Sequence, residues 1–154
     1  KFFKGIWPAQ VVAFTTQSSF GTLPVTIESL ENNIGVSSST ASFVASLGST
    51  VGMNGCGGVF PAIVAIFVAN VFGIELTLTH YILMILTIVV GSVGIAGVPG
   101  AATMSTTLIL TTLGLPIEGM AIILGVDAII DMARTLTNVT GAGLAAYIVD
   151  KECK

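Results

Sequence analysis

Asp127, Asp131, Arg134 and Asn138 are the residues whose types and spacing could do chemistry. Spaced i, i+4, i+7 and i+11, they share a sector of about 60° on a helix turning about 100° per residue. Thr135 borders that sector, and the other faces of 120–149 are mostly Ile, Leu, Met, Ala, Gly and Val. A charge within an apolar helix is costly and marks function by default. Asp131 and Arg134, three apart, suit an ion pair. Asp127 is then a carboxylate without a counter-charge, which a cation or a proton would neutralise. The plainer alternative is a buried ion pair that only fixes helix register. Arg134 suits a carboxylate, gripped bidentately where geometry allows. Asp131 suits an ammonium or holds Arg134. An amino acid offers both groups.

The elements that must position these residues are apolar. Of 154 residues, 53% are hydrophobic and 8% charged, against about 25% charged in ordinary soluble domains. Charge-free runs cover 5–27, 32–74 and 76–117. A helix needs about 20 apolar residues to cross a bilayer, so the chain reads as an all-α membrane protein. Its 28 Ser and Thr cluster with Gly and Pro inside those runs, in TTQSSFGTLPVT, SLGSTVGMNGCGGVFP and GSVGIAGVPGAATMSTT. Broken backbone at membrane depth must be buried in protein or line a wet cavity. Three such breaks predict a shared site.

Arm lengths set the topology. About 14 residues precede the first break, roughly 21 Å of helix, too short for a hydrocarbon core of about 30 Å. The expectation is a re-entrant hairpin over 1–35, tipped near Ser18, Ser19 and Gly21. A broken transmembrane helix follows over 41–73. A second re-entrant hairpin covers 78–115, and a transmembrane helix covers 116–149. Two crossings put both termini on one side. Lys1, Lys4, Lys151 and Lys154 lie at the ends, so the positive-inside rule predicts cytoplasmic termini. Half-helix N-termini would face an anion, and unwound carbonyls a cation. The residues thus point to an ion-coupled carrier of a small charged solute. A channel or a non-transporting membrane subunit is the reading from another class; a channel would need a continuous polar path rather than one midplane cluster.

Other classes are excluded. Five Lys and Arg with net charge −3 do not suit nucleic acid. Cys56 and Cys153 give neither a disulfide framework nor metal-ligand spacing. His80 is the single histidine, so Ser18 and Ser19 have no hydrolase partner at hand. The glycines at 91, 94, 97 and 100 lack the Lys-Ser/Thr of a P-loop. An enzyme is not expected, nor a cofactor, nor a transition metal.

At these residues the chain resembles the dicarboxylate/amino-acid:cation symporter (glutamate transporter) family. SSFGTLPVT resembles the serine-rich tip of that family's first hairpin, GVPGAA its second tip, and DAIIDMARTLTNVTG its substrate-binding helix. The resemblance covers essentially the whole chain and implies an inverted-repeat transport core. It also implies six preceding scaffold helices outside this sequence, a homotrimer in the full-length protein, and a cell inner (plasma) membrane location. Such a core without its scaffold is expected not to transport alone.

The resemblance implies site residues as well. Asp131 would hold the substrate amino group, Asn138 its α-carboxylate and Arg134 a distal acidic group, with Thr135 beside it. Ser18, Ser19, Val98 and Ala102 would add contacts from the tips, and the second hairpin would gate. Asp127 and Asn138, with Gly48, Thr50, Met53, Asn54, Ser92, Val93 and Ile95, would serve the coupling cation, Na+ or H+. Two sodium-site carboxylates of the family pattern are missing. The usual Asn-Met-Asp-Gly-Thr is Gly52-Met53-Asn54-Gly55-Cys56, and an aspartate after Val-Thr-Gly is Ala142. Fewer sodium ions, or protons through Asp127, would follow. Cys56 replaces a substrate-contacting Thr. GMNGCGGVFP resembles the cystine-uptake branch, so the expected substrate is L-cystine, with glutamate/aspartate or a C4-dicarboxylate as the alternative.

Overall fold

A computed structural model describes residues 1–94 and 97–153, and among these there is no strand. Helix α1 (Phe2–Thr16) ends where Gln17 turns left-handed at φ 54° and returns its N–H to the Ala13 carbonyl. Ser18 then caps α2 (Ser19–Glu28): its backbone is extended and its hydroxyl accepts the Gly21 N–H at 3.0 Å. A serine cap satisfies a helix-end donor that the chain otherwise leaves unpaired. Helix α2 widens into a π-helical turn over Ser29–Ile34, and its end packs back beside Gly5 near the start of α1. The two helices therefore lie antiparallel.

Helix α3 (Ser38–Val51) stops at Gly52. The break is shorter than the glycine run suggests. Gly52 and Met53 leave the helix, after which Asn54–Val59 wind as a π-helical turn straight into α4 (Phe60–Val71). Pro61 contributes to this widening, because its ring nitrogen has no hydrogen to donate to the preceding turn. Ser38–Val71 is long and apolar enough to cross a membrane by length and composition. Helices α5 (Leu78–Ser92) and α6 (Ala101–Thr112) form a second packed pair. Gly100 enters α6 at φ 84°, a conformation that a side chain would disfavour. His80 sits at the start of α5, where Thr77 and His80 form a reciprocal cap. After a short 3₁₀ turn, α7 (Met120–Glu152) runs for 33 residues.

Two apolar cores flank a small middle one. Ile6, Ala9 and Ala13 of α1 meet Ala41 and Ala45 of α3 and Val139 and Ala146 of α7. Val64, Ala65, Val68 and Ala69 of α4 meet Met84, Ile109, Leu110 and Met120. Small residues at these crossings let backbones approach closely, which is how helices associate when surrounding lipid is as apolar as their side chains. Between them lies the cluster of Met53, Cys56 and Ala102. The outer surface is apolar: Phe43, Leu78, Val90 and Met104 are each more than 70% exposed.

Candidate substrate site

The polar stripe of α7 points inward. Asp131, Arg134, Thr135 and Asn138 are all 5% exposed or less. Arg134 faces the break rather than lipid, and Phe60 at the start of α4 lies over its guanidinium, 3.9 Å from carbon to ring centroid. Stacking a cation on an aromatic face adds attraction where water is excluded.

Both carboxylates hold this one guanidinium. Nη2 lies 2.9 Å and Nε 3.2 Å from Asp131 Oδ1, and Nη1 lies 2.8 Å from Asp127 Oδ1. Asp127 is thus not left without a counter-charge. Side chains on a helix lean toward its N-terminus, so the long Arg134 side chain reaches back two turns. The cluster still sums to one negative charge. The two Nη contacts are short but lie off the N–H axes, so neither Nη1 nor Nη2 has a directed hydrogen bond.

Asn138 fastens the break to α7. Its Oδ1 accepts the Gly55 N–H at 2.7 Å. Its Nδ2 lies 3.1 Å from Cys56 Sγ and 3.5 Å from Met53 Sδ. Cys56 in turn points its thiol at Asp131 Oδ1, 3.8 Å away. Gly55 permits this approach: a Cβ there would sit 2.9 Å from the Arg134 carbonyl oxygen.

The two helix-pair tips meet at Gly97. Its carbonyl accepts the Phe20 N–H and the Ser18 hydroxyl, both at 3.2 Å. Its own N–H donates to the Ser49 carbonyl of α3 at 3.1 Å. A Cβ on Gly97 would lie 2.6 Å from Ser49 O and 2.9 Å from Ser19 Cβ. Gln17 ties the same tip to α7, donating to the Ala128 carbonyl at 3.2 Å.

Residues 1–152 match the sodium:dicarboxylate symporter family. The chain belongs to that family. It is 42% identical over 151 residues to an uncharacterized symporter of Haemophilus influenzae, covering 97% of this chain and 34% of that protein. It is 39% identical over 152 residues to the L-cystine uptake protein TcyP of Bacillus anthracis, covering 98% of this chain and 33% of that protein. The human excitatory amino acid transporter 2 is 40% identical over 148 residues, covering 96% of this chain and 26% of that protein. The chain therefore spans about a third or less of the length of these relatives. They are symport, uptake and transport proteins, not enzymes, and the family is one of membrane symporters.

Of the positions that the symporter resemblance assigns to substrate, Cys56, Asp131, Arg134 and Asn138 form one bonded cluster. Ala102 packs against Met53 and Cys56 beside it. Ser19 is buried at the tip junction, and Ser18 spends its hydroxyl there. Thr135 is buried one residue beyond Arg134, whereas Val98 is 46% exposed.

The positions assigned to the cation do not form one cluster. Asp127 lies on Arg134, beside a small cavity that Thr103, Thr106 and Phe60 also line. Asn54 is exposed and shares a cleft of about 530 Å³ with Met53 and Ser92. Gly48 packs against Ala142. The hydroxyls of Thr50 and Ser92 turn back to the carbonyls of Leu47 and Val89. Val93 is 60% exposed, and Ile95 lies outside the described residues.

The sequence reading missed Phe60 and Gln17, and it placed Gly97 at the second tip without its partners. Phe60 stands four residues after Cys56, a spacing that shares one helix face, so an aromatic at that offset was the available signal. Nothing local marks Gln17 as a site residue or names the partners of Gly97, which lie far along the chain.

Proposed function

We propose that this chain is the transport core of a cation-coupled symporter that carries an amino acid, L-cystine first, into the cytoplasm by alternating access. The observation that carries the reading is the Asp127–Arg134–Asp131 cluster, with Arg134 and Asp131 buried and Asp127 half-buried, opposed by the broken α3–α4 segment. It offers a cation and an excess of carboxylate to a ligand with both charges, in surroundings where charge-assisted bonds are strong. Similarity to an L-cystine uptake protein over 98% of the chain supports cystine. Similarity to an excitatory amino acid transporter supports the second reading, a sodium- or proton-coupled glutamate, aspartate or C4-dicarboxylate carrier.

In this reading α1–α2 (1–35) and α5–α6 (78–115) are re-entrant hairpins of an inverted repeat. The 15 residues of α1 give roughly 22 Å, short of a hydrocarbon core of about 30 Å. The spans proposed to cross are 41–73, within the α3–α4 segment and the turn after it, and 116–149, most of which is α7. Both ends of the chain face the cytoplasm of a cell inner membrane, and the full-length protein is a homotrimer. Asp131 takes the substrate ammonium and Arg134 a carboxylate. Thr135, Asn138, Cys56, Ala102, Val98, Ser18 and Ser19 enclose it. The cation, Na+ or H+, draws on Asp127, Asn54, Asn138, Met53, Ser92, Val93, Ile95, Gly48 and Thr50.

Radiolabelled uptake by the full-length protein in proteoliposomes tests the reading, with imposed sodium or proton gradients. Saturable cystine uptake that collapses in Arg134→Ala and Asp131→Ala is expected. Uptake indifferent to both substitutions would refute it.

A further inference from the structure

Asp127 and Asp131 are spaced for a ligand with two amino-acid heads. Four residues apart on one helix face, their Cα atoms are separated by about 6 Å along the axis. The two Cα atoms of a disulfide-linked pair of cysteines lie about 4.4–6.8 Å apart, the same range as the rise between the two aspartates. Both carboxylates already touch the same guanidinium, Asp127 through Nη1 at 2.8 Å and Asp131 through Nη2 at 2.9 Å. Arg134 is 5% exposed, and its Nη1 and Nη2 have no directed hydrogen bond; nor has Asp127 Oδ1. These atoms are buried, charged and short of well-aligned partners, which costs free energy that a ligand supplying them would recover.

We infer that Asp127 receives the second ammonium group of a bis-amino acid, so that the site selects a two-headed zwitterion over an acidic amino acid. The inference rests on the reading that Asp131 and Arg134 bind an amino acid. The distal head inserts between Asp127 and Arg134. Its ammonium meets Asp127 and its carboxylate meets Nη1 and Nη2, so one off-axis ion pair becomes two aligned ones. Charge decides the preference. The cluster carries one net negative charge, and a zwitterionic head leaves that sum unchanged. A distal carboxylate with no ammonium beside it adds a second negative charge in a buried place, which like-charge repulsion and desolvation oppose. The substrate's own ammonium then takes the place of the coupling ion at Asp127, and that ion is left to the other cation positions. The adjoining cavity, lined by Thr103, Thr106 and Phe60, holds only about 10 Å³, so the distal head must part the Asp127–Arg134 contact and widen the cavity.

The test uses the full-length protein in proteoliposomes with three ligands: L-cystine, the mixed disulfide of L-cysteine with mercaptopropionate (cystine lacking one amino group), and L-glutamate. Wild type should prefer cystine to the desamino disulfide by about tenfold to a hundredfold, the range for losing a hydrogen bond to a charged group. Asp127→Asn should weaken cystine by a similar factor and abolish that preference, leaving the desamino disulfide unaffected or improved. Asp127→Glu, which keeps the carboxylate, should retain the preference and guards against a variant that merely fails to fold. An equal loss for both disulfides in Asp127→Asn would overturn the inference and make Asp127 a structural or coupling-ion group. An unchanged cystine affinity would overturn it too. Absence of saturable cystine uptake in wild type would instead remove the underlying reading, and this inference with it.

Discussion

Replacing Asn138 by Leu tests how the broken segment is held. The substitution nearly preserves side-chain volume, so the cavity left behind is small and the polar loss dominates. Asn138 Oδ1 accepts the Gly55 N–H at 2.7 Å, and Asn138 is 1% exposed. Leucine cannot accept, so that N–H is left buried without a partner, a cost of about 1–3 kcal/mol. The contacts of Nδ2 with the sulfurs of Cys56 and Met53 are also lost, and sulfur is a weak acceptor. Taking about 2 kcal/mol, local opening of the π-helical turn should be roughly 30-fold more frequent. Hydrogen exchange read by mass spectrometry on the full-length protein in nanodiscs measures it. Peptides covering 53–60 should exchange faster by about that factor, while 6–13, in the core of α1, α3 and α7, should not change. Unchanged exchange at 53–60 in the leucine variant, or an equal rise everywhere, would refute the reasoning.

Three further substitutions separate tight sites from open ones. Gly55→Ala places a methyl 2.9 Å from the Arg134 carbonyl oxygen and 3.1 Å from its Cα. Backbone cannot swing aside, so thermal unfolding should show a loss of about 1–3 kcal/mol. Gly141→Ala meets the exposed end of Asn54 at 2.5 Å. That amide is free to rotate away, and the change should stay within about 0.5 kcal/mol. Gly97→Ala pushes against Ser49 O at 2.6 Å and Ser19 Cβ at 2.9 Å. It should unseat the tip junction at a cost of about 1–3 kcal/mol and slow uptake; wild-type stability and uptake would contradict the role given to that junction.

The polar stripe of α7 was legible in the sequence because helical periodicity is local: Asp131, Arg134, Thr135 and Asn138 share a face whatever surrounds them, and all four are buried. The breaks were legible for the same reason, since Gly, Pro and Ser act on the backbone where they stand. The extent of the second break was not. Whether Asn54–Val59 unwinds or winds as a wide turn depends on the Asn138 side chain accepting from Gly55 across 83 residues of chain.

Composition and periodicity by themselves determined an apolar, all-helical chain with an inward charged stripe and interrupted helices. These follow from nearest-neighbour sterics and from the cost of charge in an apolar medium. Only the tertiary structure decided which groups meet. Sequence spacing favoured the i, i+3 pair of Asp131 with Arg134 and left Asp127 alone. In the fold, the lean of the side chain and the ring of Phe60 bring the guanidinium to both carboxylates at once. The same holds for Gly97, whose two backbone groups are claimed by Ser18, Phe20 and Ser49. Ion pairs and hydrogen bonds act over a few ångströms of space, and distance along the chain does not fix that separation once helices pack.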